Sequence, residues 1–104
     1  MRIQDVYIRK IVSVYFSCMR VRIHPHATKH GLSEKQIREA YDTLISPKRV
    51  RGRDVNTDPQ RYAAVGLDAS GMPIELVFVE LSDDTILIFH ANRLTKQFSK
   101  EVLN

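Results

Sequence analysis

The sequence predicts a small α+β domain, in which an antiparallel sheet is packed by two to three helices. Three apolar runs separated by short polar turns indicate an antiparallel meander over residues 61–67, 73–81 and 85–90. Apolar residues spaced three and four apart after Ser33 indicate an amphipathic helix. A chain of 104 residues forms one such domain, and its modest core favours a surface groove over a deep cavity as a binding site.

The domain is expected to begin with a strand over residues 21–23, where apolar residues alternate with arginines. Pro25 suits the first turn of a helix, and Gly31 suits a helix end, so residues 25–30 are expected to form one or two helical turns.

The next helix has the clearest local pattern. Ser33 and Gln36 have the spacing of a capping box, and Ser46-Pro47 is expected to end the helix. One face is predicted to be buried, and it consists of Ile37, Ala40, Tyr41, Leu44 and Ile45.

Residues 48–60 are expected to form a long basic loop, with a short strand near residues 49–51. The strands of the meander are apolar enough that helices should cover one side of the sheet. Thr95 is expected to cap a last helix that buries Phe98 and Val102. The predicted order is β-α-α-β-β-β-α.

Composition favours an anionic partner and a reducing environment. Sixteen Lys and Arg against twelve Asp and Glu give a net charge of +4. Cys18 is the only cysteine, which excludes an internal disulfide and fits a cytoplasmic protein. No apolar run reaches the roughly 18–20 residues of a membrane span, so no membrane association is expected.

Residues 1–18 are interpreted as an N-terminal extension to a single domain over residues 19–104. One alternative is that translation starts at Met19. The other is that the apolar stretch VYIRKIVSVYF forms an additional strand or helix.

The basic loop is the first candidate functional feature. Cations clustered near one sheet edge would neutralise several phosphates of a nucleic acid, since the acidic residues lie largely elsewhere in the sequence. The alternative is a solvated loop without specific contacts. The candidate RNA-binding residues are Lys48, Arg49, Arg51, Arg53 and Lys96, with Arg61 at the start of the following strand.

The histidines are the second feature. His24, His26 and His30 have a spacing that permits metal binding, but no nearby carboxylate or cysteine completes a ligand set, so no metal is expected. Hydrogen bonding at a helix end and proton transfer are the alternatives. His90 is placed at the end of the last strand, beside a cationic exit that includes Arg93. Glu80, at the end of the preceding strand, is a candidate carboxylate or an exposed sheet residue.

Residues 19–103 resemble the BrnT-like ribonuclease toxins, relatives of the RelE fold. The resemblance is carried by KHGLS entering the amphipathic helix, by PQRYAAVG, by the strand ending in VE, and by the strand over residues 86–90. It departs after that last strand, where Ala91 occupies the position at which the family carries an arginine. His90 or Arg93 could substitute for that arginine.

The resemblance implies a toxin that cleaves RNA without a metal or other cofactor, and whose partner is a ribbon-helix-helix antitoxin. Lys29 and Arg61 stand at basic positions of the family, and Glu80 at an acidic one. Under this hypothesis Lys29, Arg61 and Arg93 contact the phosphate, and His90 is the general acid or base, with Glu80 as its complement. The alternative functions are a non-catalytic RNA- or protein-binding module of the same fold and an interaction protein that could form a homodimer.

Overall fold

A computed structural model describes residues 20–104 of the chain, and the two interpretations of residues 1–18 lie outside this range. A four-stranded sheet has the strand order β1-β4-β3-β2. The predicted α+β class and the three-strand meander are confirmed. The elements are β1 (Arg20–Ile23), α1 (Glu34–Asp42), β2 (Arg61–Leu67), β3 (Pro73–Leu81), β4 (Thr85–Arg93) and α2 (Lys96–Val102), with 3₁₀ helices at Pro25–Thr28 and Gly52–Asp54.

The first strand makes the sheet mixed rather than fully antiparallel. β1 pairs with β4 in parallel, with Arg20 opposite Thr85 and Ile23 opposite Ile88. A parallel pair needs a long connection, and the chain supplies one, because the Pro25–Thr28 helix, α1, β2 and β3 lie between β1 and β4. Within residues 20–104, no helix has the length and apolar character that a bilayer crossing requires.

Helix α1 begins as predicted and ends earlier than predicted. The capping box is present, since the Ser33 side chain accepts from the Gln36 amide and the Gln36 side chain accepts from the Ser33 amide. The helix ends at Asp42, because the backbone from Thr43 onward pairs with the outer edge of β2. The prediction that Leu44 and Ile45 lie on the buried helix face is therefore wrong, and they are 37% and 53% exposed.

Helices pack on both faces of the sheet, which corrects the expectation of one covered side. α1 covers a core that includes Ile37, Phe78 and Ile88. α2 covers a smaller core on the opposite face, formed by Ala63, Val65, Val77, Phe98 and Val102. We refer to these two sides of the sheet as the α1 face and the α2 face.

A β-bulge in β4 changes the placement of His90. Val77 pairs with His90 but Phe78 pairs with Ile88, so Phe89 is an extra residue in β4. β4 then continues to Arg93, so His90 lies within the strand, and the prediction that it ends the strand is wrong. Because of the extra residue, His90 follows Phe89 onto the α2 face instead of alternating away from it.

Candidate functional site

A buried carboxylate holds His90 on the α2 face. Glu75 is only 4% exposed, and its Oε2 lies 2.8 Å from His90 Nε2. Its other oxygen accepts hydrogen bonds from the Thr95 amide at 2.9 Å and the Thr95 hydroxyl at 2.8 Å. Burial alone would raise the pKa of Glu75, but the hydrogen bonds from His90 and Thr95 outweigh it and lower the pKa below its ordinary value. Glu75 is therefore a carboxylate at neutral pH.

The charge of Glu75 fixes which nitrogen of His90 carries a proton. A carboxylate only accepts hydrogen bonds, so Nε2 of His90 donates, and in the neutral ring Nδ1 is the unprotonated nitrogen. The ring stacks on Phe98 at 6.5 Å between centroids, and the His30 ring contacts it edge-on at 5.4 Å. The imidazole is thus oriented from three sides while its side chain stays 29% exposed.

Arg61 lies on the same face, next to the bulge. Its guanidinium is centred 4.8 Å from the centroid of the Phe89 ring, a cation–π contact. The Thr57 hydroxyl accepts a hydrogen bond from the Arg61 amide at 2.9 Å and so fixes the start of β2. Within residues 20–104, Arg61 has no carboxylate partner. An open groove of about 600 Å³ lies beside it and is lined by His24, His26, Thr57, Asp58, Pro59, Arg61, Val79, Leu87 and Phe89.

Three of the predicted RNA-binding cations are already paired with acidic side chains. Arg51 bonds Asp54 at 2.8 Å in a largely buried pair, Arg53 lies 3.4 Å from Glu101, and Lys48 lies 2.7 Å from Glu80. The expectation that acidic residues lie away from the basic loop is wrong, because the loop folds against α2 and the end of β3, which bring Glu101 and Glu80 next to it. Each pair reduces the charge that these cations can offer to phosphate.

Two members of the predicted catalytic set lie on the other face of the sheet. Glu80 pairs across the sheet with Ile86, whose side chain belongs to the α1-side core. Arg93 pairs with Ile74 of the same core, and its Nε contacts the Met72 sulfur at 3.3 Å. The predicted set therefore does not meet in one groove.

The remaining predicted residues are exposed around the domain. Lys29 ends the Pro25–Thr28 helix and directly precedes His30, whose ring contacts His90. Arg49 pairs with Ala63, a residue of the α2-side core, so it faces the α2 side of the sheet. Lys96 opens α2 and lines a shallow depression with Lys100.

The three N-terminal histidines do not converge. His24 Nδ1 accepts from the His26 amide at 3.0 Å, which caps the short helix, while His30 lies against His90 instead. Across the described residues, no three His, Cys, Asp or Glu side chains are grouped so that they could hold a metal ion.

Glu75 is the residue that sequence reasoning missed. Its signal was an acidic residue near the start of β3, between Ile74 and the apolar run LVFV, on a strand too apolar to leave a face in water. A buried carboxylate needs a partner, and the facing strand offers His90. That pairing depends on the register of β3 and β4 and on a bulge, and neither can be predicted from the sequence.

Comparisons with protein-family models, with curated proteins and with solved structures each return no match for this chain.

Proposed function

We propose that this protein is a metal-independent endoribonuclease, the toxin of a cytoplasmic toxin–antitoxin pair, with its active site on the α2 face. The observation that carries the proposal is the Glu75–His90 pair, one residue along the strand from the Phe89 ring on which Arg61 stacks. An oriented imidazole and an arginine without an acidic partner in residues 20–104 are the two groups that metal-free RNA cleavage needs most.

The proposed reaction uses the unprotonated nitrogen of His90. Nδ1 takes the proton from a ribose 2′-hydroxyl and the 2′-oxygen attacks phosphorus. The 5′-oxygen of the next nucleotide leaves with the electron pair of its bond to phosphorus and takes a proton from water, and the proton held by His90 neutralises the hydroxide that remains. The carboxylate of Glu75 stabilises the imidazolium that forms, and Arg61 stabilises the charge that develops on the phosphate oxygens. Glu75 thereby takes the role that the sequence resemblance implied for Glu80.

The antitoxin partner is part of the same proposal. By the resemblance of residues 19–103 to BrnT-like toxins, the partner is a small ribbon-helix-helix protein. The α2 face carries Arg61, His90 and the groove, so an inhibitor that covered this face would block access of RNA to all three.

Purified protein assayed on RNA in the presence of EDTA tests the proposal. Arg61→Ala is expected to lower the cleavage rate by ~10²–10³, which corresponds to the ~2.7–4 kcal/mol typical of a lost charge-stabilising donor. His90→Ala is expected to abolish cleavage above background. Arg93→Ala is the matched control for charge, because it removes an exposed arginine from the α1 face and should leave the rate near that of the wild type. Equal rates for all variants would refute the assignment.

A non-catalytic RNA-binding module is the second candidate, and Ala91 favours it. Ala91 stands where the family carries an arginine, and here it is fully buried in the α1-side core. The position therefore contributes no charge to the site. RNA binding without cleavage by the wild-type protein would support this candidate over the ribonuclease.

A further inference from the structure

We propose that the groove beside Arg61 binds one unpaired nucleotide of the RNA and selects guanine. This inference rests on the proposed function for its ligand class, and it adds the base specificity of the site. His90 lines a separate, smaller depression on the same face, and it is linked to the groove by Phe89, which lines the groove and precedes His90 at the bulge. The nucleotide in the groove would therefore flank the phosphate that is cleaved.

The floor of the groove suits the face of a base. Its apolar lining consists of Leu87 and Phe89, which are partly exposed, and Val79, which is only 6% exposed. The guanidinium of Arg61 lies over the Phe89 ring and offers a planar group beside this lining. Unpaired bases of RNA are bound by stacking on aromatic side chains and arginine planes, whereas double-stranded RNA conceals those faces. A volume of about 600 Å³ lies within the range of ~300–1,000 Å³ typical of small-molecule sites, so it accommodates a single nucleotide.

Charged residues that line the groove indicate where the phosphate and where the base of the nucleotide would bind. Arg61 supplies a positive charge without a carboxylate partner in residues 20–104, and the exposed imidazoles of His24 and His26 also line the groove. Asp58 lines the same groove with an exposed carboxylate that accepts no hydrogen bond from within residues 20–104. A carboxylate repels phosphate, so the phosphate is expected beside Arg61 and the edge of the base beside Asp58.

The carboxylate of Asp58 is the basis for guanine selection. A carboxylate accepts hydrogen bonds in pairs, and the Watson–Crick edge of guanine presents two adjacent donors, N1–H and the N2 amino group. Adenine, cytosine and uracil do not present two adjacent donors on that edge. Guanine is therefore the base that satisfies both oxygens of Asp58.

The test uses trinucleotides that bind but cannot be cleaved. Fluorescence anisotropy with 2′-O-methyl UGU, UAU, UCU and UUU separates binding from chemistry, because the attacking hydroxyl is blocked. UGU is expected to bind the wild-type protein ~10-fold more tightly than the other three, equivalent to about 1.4 kcal/mol. Asp58→Asn should abolish this preference. Asp42→Asn, which makes the same change at an exposed position at the end of α1, should retain it.

The outcomes separate this inference from the ribonuclease proposal. Equal affinity for the four trinucleotides, a guanine preference that persists in Asp58→Asn, or no binding at all would overturn guanine selection. Cleavage of unmodified RNA without a guanine preference would overturn it too, while leaving the ribonuclease in place. A guanine preference that depends on Asp58 in a protein that cleaves no RNA would support the groove and refute the ribonuclease.

Discussion

Substituting Gly66 with alanine should separate α1 from the sheet. An ideal Cβ at Gly66 would lie 1.8 Å from the Ala40 carbonyl oxygen and 2.6 Å from its carbonyl carbon. Both contacts are with helix backbone, so no side chain can rotate away to relieve them. To reach ordinary van der Waals contact, the oxygen would have to withdraw from 1.8 Å to beyond 3.4 Å. This displacement would move the end of α1 off β2.

The cost of the Gly66→Ala clash follows from the closeness of that contact. Overpacking a core typically costs ~1–3 kcal/mol, and a rigid backbone neighbour places this substitution at the upper end, about 3 kcal/mol. For a domain of this size each kcal/mol lowers Tm by ~4–8 °C, so a fall of roughly 12–24 °C is expected in thermal unfolding followed by circular dichroism.

A matched control for Gly66→Ala is available in the same chain. Gly52→Ala adds the same methyl group where no atom lies within 4 Å and φ is not positive, so its stability should stay within ~0.5 kcal/mol of the wild type. If the two variants unfolded at the same temperature, the close packing of α1 on β2 at Gly66 would be refuted.

Two further predictions concern carboxylates whose pKa values the fold lowers. Glu75→Gln should destabilise the protein by roughly 1.5–3 kcal/mol at neutral pH, because hydrogen bonds to a charged group are lost. Because the fold lowers the pKa of Glu75, the carboxylate stabilises the protein above its ordinary pKa of 4.5, and this stabilisation is lost as the pH falls. The difference in free energy of unfolding between wild type and variant, measured in urea, should therefore narrow below pH 4.5. A difference that stayed constant with pH would contradict this. For Asp68, hydrogen bonds from the Ser70 hydroxyl and the Met72 amide lower the pKa from 3.8 to about 2. The NMR signal of its carboxyl carbon should therefore titrate with a midpoint near pH 2. A midpoint near pH 3.8 would argue against those hydrogen bonds.

Much of the fold could be predicted because its signals are local. The capping box at Ser33, the Thr95 cap and the positive φ of Gly31 each depend on residues within a few positions, and each is present in the structure. The end of α1 could not be predicted in the same way. Thr43 leaves the helix because its carbonyl accepts from the Leu67 amide at 3.0 Å, a bond to a strand more than twenty residues away in the chain.

The candidate site was less predictable than the fold, because its members meet through strand register. His90 was identified from its neighbours in the sequence, and Glu75 was not identified. Their contact exists because β3 and β4 pair in one register and because Phe89 is an extra residue at a bulge in β4. Without the bulge, Phe89 would pair with Val77 and His90 with Leu76, and His90 would then face the α1 side, since side chains alternate along a strand.

The same alternation explains why a run of cations does not act as one patch. Arg49 pairs with Ala63 and so faces the α2 side, where Arg51 stacks on Phe98, whereas Lys48 turns to the opposite side and contacts Glu80 and Tyr62. Neighbouring basic residues in an extended segment thus serve different faces, and those on one face acquire acidic partners from whichever element lies there. Charge density along the sequence overstates the charge that any one surface offers to phosphate. In this protein the phosphate contact proposed above depends on Arg61, which begins a strand, far more than on the basic loop that precedes it.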